Sequence, residues 1–459
     1  MASLKEVKNN NKKIFWIVGI AVAALALIIG GWFFLSRTSL FYKKVDTGNV
    51  SYNMTTPMHE IVNSSDMQKG YMYTRVLEVL QKNRGVDPWI LDWVVIPGTT
   101  RDVPGFQTQY VDAYDQVLLL ETYILEGKKS DAQKLIKAID EKLTDPNGYL
   151  MEYRPVADLS PDTSGASATY DGNELYEDAS CLLKNNGEAS LQATAGYLRA
   201  LMNYYDKWGN AELLTKIEDL AKLLFKTEKL EDFRAEDRLS RPTPIPVSEI
   251  METTPTPEPA PDEKEGTDKL VSLEGLEIAG MDLLAMKRAA TIFPEYAKKY
   301  DEWLSIVKGA QISEVLPLYA WMYTGDGNYA YYAGSNTEVE LIPSLYTMVH
   351  LAEVGELDPL SYSWIQTTLL NTGFLYTRYD MLSGDAATTV EAYEAYPLVL
   401  RLAVIKDDEA LFTSAYTAMM RQYATLSSSQ ILYTLFRDVE DSRIELAARE
   451  NLLAQIYLR

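Results

Sequence analysis

The side chains able to do chemistry are few, and most are aromatic or acidic. Cys181 is the single cysteine and His59 and His350 are the two histidines. No internal disulfide or thiolate metal cluster can form, a zinc site is not expected, and a Ser-His-Asp triad has two candidates for its base. His350 lies within an apolar helical run and reads as a core histidine. Tyrosine is over-represented, 31 copies against 11 phenylalanines, and suits a sugar-lined groove because it joins a flat apolar face to a hydroxyl. Trp89 and Trp93, then Tyr319, Trp321, Tyr323, Tyr329, Tyr331 and Tyr332, cluster in Pro/Gly-broken stretches. They are the candidate stacking platforms. Asp112 and Asp115 stand one helical turn apart and share a face. The GDG at 325–327 lacks a strand–helix context and is read as a turn, not a phosphate cradle.

The elements that would position these groups read as helical. The run EVELIPSLYTMVHLAEVG, 338–355, places Leu341, Leu345, Met348, Val349 and Ala352 on one helical face and ends at Gly355, a C-cap residue. Comparable periodicity is expected at about 66–85, 108–125, 130–143, 190–207, 210–225, 283–300, 301–308, 359–371, 388–405, 408–422, 427–437 and 440–458. Short links make antiparallel pairs. Six such hairpins fit an all-α (α/α)6 toroid over 66–459. A superhelix of tetratricopeptide-like repeats is the competing architecture, but no fixed repeat spacing recurs. Residues 145–188 read as a long loop. The Pro/Thr/Glu tract at about 241–269 cannot bury a core and reads as a disordered insertion, with an interdomain linker as the alternative.

With 65 acidic and 43 basic residues the formal charge is −22. No basic stripe exists to displace phosphate counterions, so a nucleic-acid partner is excluded. Residues 14–35 are uncharged and mostly apolar, spanning roughly 33 Å as a helix, enough to cross a bilayer. Trp16 and Trp32 sit near its ends. No A-x-A site follows, so the run is read as an uncleaved signal anchor. Lys5, Lys8, Lys12 and Lys13 before it give a slight bias towards a cytoplasmic tail at 1–13, with the body outside. Residues 36–65 are read as a stalk.

Three stretches resemble glycoside hydrolase family 8, in particular its membrane-anchored branch linked to exopolysaccharide clusters: GAQISEVLPLYAWMYTGDGNYAYY, ELIPSLYTMVHLAEVGE and GFLYTRYDMLSGDAATTVEAYEAYPLVLRLA. The likeness runs from about Trp89 to the C-terminus. It implies an inverting mechanism in which one carboxyl protonates the leaving oxygen and another drives a water, roughly 6.5–9.5 Å apart. YVDAYDQ places Asp112 where the family's acid stands, one methylene short. Glu391 matches a glutamate of the family's later helix, and Tyr376, Arg378, Tyr379 and Asp380 match the motif before it. In ASLQATAGYLRAL the expected base falls on Ala193 and Thr194, and a further acid falls on Pro343. Asp171, Glu177 or Asp178 of the acid-rich loop are the possible replacements. The resemblance with these departures implies an anchored protein that binds an exopolysaccharide, beside a glycan synthase complex, without cutting it and without a cofactor. An active endo-glycosidase is the alternative, and a protein–protein adaptor the third.

Overall fold

The computed structural model describes residues 45–97, 106–107, 110–159, 189–226, 275–331, 337–439 and 443–459. The expected anchor, the tail before it, the Pro-rich tract and the candidates Asp171, Glu177, Asp178 and Tyr332 lie outside the described residues. No helix among those described is long and apolar enough to cross a membrane.

Thirteen helices longer than one turn are described: α1 (Thr56–Ser64), α2 (Lys69–Leu80), α3 (Ala113–Leu125), α4 (Lys129–Lys142), α5 (Leu191–Trp208), α6 (Ala211–Phe225), α7 (Leu283–Ile292), α8 (Ala297–Gly309), α9 (Leu341–Val354), α10 (Pro359–Thr372), α11 (Ala395–Lys406), α12 (Glu409–Met420) and α13 (Ala448–Tyr457). The odd-numbered helices from α3 to α13 form an inner ring. Each packs on the next, and α13 closes on α3. The even-numbered helices lie outside, with α4, α6, α8 and α12 each against the inner helix before it and α10 against α12. The last hairpin joins the two ends of the chain, because α2 packs on α13. This is an (α/α)6 toroid. An inner helix touches neighbours on all sides, which is why α9 is buried at eleven positions, from Leu341 to Glu353, and shows no polar stripe.

The two ends of the ring differ. Turns leaving the inner helices are short, as at 126–128, 209–210, 355–358 and 407–408. Gly209 and Gly355 close α5 and α9 with φ of 65° and 84°, a conformation that costs glycine nothing. Connections entering the inner helices are long: 81–112, 143–190, 226–282, 310–340, 373–394 and 421–447. They carry the short strands β1 (Trp93–Pro97), β2 (Phe106–Gln107), β3 (Tyr110–Asp112), β4 (Tyr153–Pro155), β5 (Leu276–Glu277), β6 (Met322–Gly325), β7 (Asn328–Ala330), β8 (Glu338–Glu340), β9 (Arg378–Asp380), β10 (Arg437–Val439) and β11 (Arg443–Ala447). The largest sheet has the order β10-β11-β1-β2. We call this the mouth and the other the closed end.

Several expectations need correction. The helix expected at 427–437 is a set of turns leading into β10, and 443–447 is strand before α13 begins. The helix expected from 388 starts at Ala395, and the one over 283–300 breaks at Phe293, where Pro294 cannot donate the next backbone bond. Residues 45–64 are not a stalk. Backbone N–H of Val45 donates to Tyr205 (2.9 Å), the Thr47 hydroxyl to Asp206 (2.7 Å), and the Tyr52 hydroxyl to the Glu353 carbonyl (2.7 Å). Asp206 and Glu353 lie near the C-terminal ends of α5 and α9, so this strap crosses the closed end. Arg288 of α7 locks it, donating to both Thr47 (3.0 Å) and Asp206 (2.6 Å).

Candidate functional site

Asp112 is the N-cap of α3. Its side chain accepts from the backbone N–H of Tyr114 (2.7 Å) and Asp115 (3.2 Å), groups that the first helical turn leaves unpaired. Arg449, in the first turn of the neighbouring α13, reaches over with Nη2 2.7 Å from Asp112 and Nε 2.6 Å from Asp115. All three side chains are buried, and the guanidinium also lies over the Tyr114 ring, 5.1 Å from its centre. Arg449 stays charged: burial opposes its charge, but Asp112 and then Asp115 outweigh it. Asp92, half-buried just before β1, brings a third carboxylate within 4.8 Å of the other two. Among the described residues these oxygens are the group best placed to hold a cation, but Arg449 already supplies the countercharge to two of the carboxylates.

Along the ring the mouth stays acidic. Glu394 precedes α11 and accepts from the buried Tyr346 hydroxyl (2.7 Å). Burial and then Glu394 push that phenol well up. Glu391 pairs with Arg421 (2.8 Å) and also accepts from the Tyr396 hydroxyl. Arg378 of β9 pairs with Glu338 of β8 (2.6 Å). Arg437 sits between Glu450 and Glu445, 3.5 Å from the latter. Burial pushes the Glu445 carboxyl up, Arg437 counters it, and Asp92 adds to the rise.

Deeper in the ring is a second network. Arg199 of α5 pairs with Asp282, the N-cap of α7 (2.5 Å), and with Glu353 of α9 (2.6 Å). Arg401 of α11 also takes Glu353 (2.7 Å). Burial alone would raise Glu353, but the two arginines hold its carboxyl at about 2. His350 donates from Nε2 to the Ala279 carbonyl (3.1 Å), and burial lowers its basicity. It is a satisfied core histidine. Arginines inside apolar runs, as in GYLRAL and LVLRLA, were the sequence signal for this network.

The other sequence candidates are placed as follows. Trp89, Tyr319 and Trp321 are buried, 2%, 2% and 8% exposed. The backbone N–H of Tyr319 donates to Ser344 (2.8 Å), and its hydroxyl accepts from Ser361 (3.3 Å). These three are packing residues, not platforms. Trp93, Tyr323 and Tyr329 are half-buried, the two tyrosine rings 5.3 Å apart, while Tyr331 is exposed. Tyr376 pairs with Glu391 by a backbone bridge. Tyr379 is buried edge-on to Trp364 at 4.9 Å, and its hydroxyl accepts from the Tyr376 backbone (3.1 Å). Asp380 caps a turn, taking Leu382 N–H (3.0 Å) and Ser383 N–H (2.9 Å). Asp112, Asp115 and Glu391 thus share the mouth end, each with an arginine. Arg449, Glu394, Tyr346 and Asp92 join them unforeseen.

The arrangement is an (α/α)6 toroid with an acidic, arginine-bridged mouth. Comparison with solved structures finds chains of similar fold. An α-amylase from Clostridium perfringens matches with a TM-score of 0.60 at 16% identity, over 86% of this chain and 98% of that one. A cold-adapted family 8 xylanase matches with a TM-score of 0.49 at 10% identity, over 90% and 94%. A family 8 endo-β-1,4-glucanase from an Achatina fulica gut metagenomic library matches at 0.44 and 11%, over 76% and 96%. Glycoside hydrolases of family 8 are therefore among the structures this chain resembles, and the likeness to the α-amylase shows the fold. No family model and no curated protein matches the sequence.

Proposed function

We propose that this protein is a membrane-anchored, extracytoplasmic relative of family 8 glycoside hydrolases that binds an exopolysaccharide during its synthesis or export and no longer cleaves it. A carbohydrate ligand is supported by the fold shared with a protein named as an α-amylase. The non-cleaving reading is carried by Arg449. Inverting hydrolysis needs one carboxyl that holds a proton and another free to activate water. Asp112 and Asp115 instead share one buried guanidinium, and Glu391 is held by Arg421. Where the resemblance expects a base, Thr194 donates to the Ser190 carbonyl (2.6 Å) and accepts from Leu150 N–H (3.0 Å).

Anchoring through residues 14–35 fits the strap. Nine residues, 36–44, separate the end of that run from Val45, a reach of at most about 35 Å. Because the chain enters at the closed end, an anchor there would turn the mouth away from the bilayer, towards a polymer leaving a glycan synthase complex. Affinity electrophoresis of the full chain in detergent, in gels cast with starch, xylan, β-glucan or an amino-sugar polymer, tests the glycan reading. Retardation in at least one gel, weakened by Trp93→Ala at the rim, is expected. Uniform migration in all four would leave a helical adaptor instead. A second reading, an active inverting endo-glycosidase, is favoured by Glu445, a raised carboxyl at the mouth beside Asp92. Reducing-end release lost in Glu445→Gln would establish it.

A further inference from the structure

On the outer wall, where the C-terminal end of α8 meets the turn from α9 to α10, lies a hollow of about 280 Å³, near the lower end of ligand pockets, about 300–1,000 Å³. Lys308, Gln311, Tyr319, Glu356, Asp358 and Pro359 line it. One donor there is unspent. Gln311 Nε2 donates to Ser361 Oγ (3.0 Å), and the Ser361 hydroxyl donates in turn to the Tyr319 hydroxyl oxygen (3.3 Å). Tyr319 is buried, and no acceptor among the described residues takes its own phenolic proton. Burial pushes this phenol up to about 12, so it keeps that proton at neutral pH. A buried donor without an acceptor is costly, and a ligand oxygen in the hollow relieves it. The acceptors are carboxylates. Glu356 is exposed and pairs with Lys308 (2.6 Å). Asp358, half-buried, caps α10 with one oxygen on Leu360 N–H (2.7 Å), and its other oxygen has no partner among the described residues.

We infer that this hollow is a second sugar site, outside the ring and away from the mouth, that takes one neutral hexosyl unit through adjacent hydroxyls. The inference stands on the hollow's own chemistry and not on the reading of the mouth. A sugar hydroxyl both donates and accepts. One hydroxyl accepts the Tyr319 proton, its neighbours donate to Asp358 and Glu356, and Pro359 offers an apolar edge to the ring's C–H face. A ligand carboxylate or phosphate meets the charges of Glu356 and Asp358. An ammonium meets Lys308 and brings no acceptor for Tyr319.

The methyl glycosides of glucose, galactose and mannose, with glucuronic acid and glucosamine as charged controls, are titrated against the full chain in a sugar-free detergent and followed by saturation-transfer NMR. At least one neutral glycoside is expected to bind, and more tightly than either charged sugar. Tyr319→Phe, which removes the proton and keeps the ring, should weaken it about fivefold. Asp358→Asn, which keeps the helix cap and removes the charge, should also weaken it. Thermal melts confirm that both variants fold. Binding of none of the neutral glycosides overturns the inference, as does a charged sugar binding tightest. Binding that both substitutions leave unchanged would put the sugar at the mouth and overturn it too. Two competitors carrying the preferred hexose then identify its source: a hexosyl diacylglycerol doped into the micelles and a β-1,4-linked tetrasaccharide. Displacement by the first assigns the unit to a lipid headgroup and by the second to a polymer. Displacement by neither overturns the inference, because the site would then exclude a linked sugar.

Discussion

Replacing Arg449 with methionine keeps most of the side chain's volume and removes its charge. Two buried carboxylates, those of Asp112 and Asp115, then lose a guanidinium at 2.7 Å and 2.6 Å. Removing one partner of such a buried ion pair costs about 3–5 kcal/mol, because the remaining charges stay out of water. For a chain of this size, 1 kcal/mol shifts the melting temperature by about 1–2 °C, so Arg449→Met should melt about 3–10 °C lower. The deficit should narrow on acidification, since protonating the stranded carboxylates relieves it. In the double variant Arg449→Met with Asp115→Asn the losses should not add, and the cycle should return a coupling of about 1–3 kcal/mol. Differential scanning fluorimetry at pH 7 and pH 5 measures all three. A loss below about 1 °C, or strict additivity, would mean that Arg449 does not hold this pair, and the reading of the mouth as charge-locked would fall with it.

Three further outcomes follow from the same geometry. Glu353, held at about 2 by Arg199 and Arg401, is depressed in the folded state, so its contribution is present above the unfolded value near 4.5 and is lost as pH falls towards 2. Glu353→Gln should flatten acid unfolding in that window, read by circular dichroism. A β-carbon on Gly280 would lie 2.8 Å from the Gln192 backbone nitrogen; Gly280→Ala should cost about 1–3 kcal/mol in urea denaturation. Thr47→Val removes the strap's bonds to Asp206 and Arg288, and limited proteolysis should then cut within 45–55 faster than in the native chain.

The ring was largely legible because several hairpins carry their own punctuation. Asn210, Asp358 and Asp408 cap outer helices, and Gly209 and Gly355 end inner ones. The mouth strands were not legible. Most are two or three residues long, too short for an alternating pattern to register. The strap was read as a stalk because its polar, Thr/Asn-rich sequence gains its partners from residues about 160 to 300 positions away, such as Tyr205 and Glu353. The same distance hid the central pairing: Asp115 could be singled out from its neighbours, but Arg449 lies 334 positions on. The aromatic cluster misled in part, because Trp89, Tyr319 and Trp321 owe their place to packing under the mouth loops and not to an open groove.

Prolonged incubation of the purified full chain with each polysaccharide that retards it, followed by quantitation of new reducing ends, tests the central claim most directly. Retention with no reducing ends above the buffer control is expected. Sustained release that scales with protein and disappears in Glu445→Gln would contradict it and make the protein an active glycosidase.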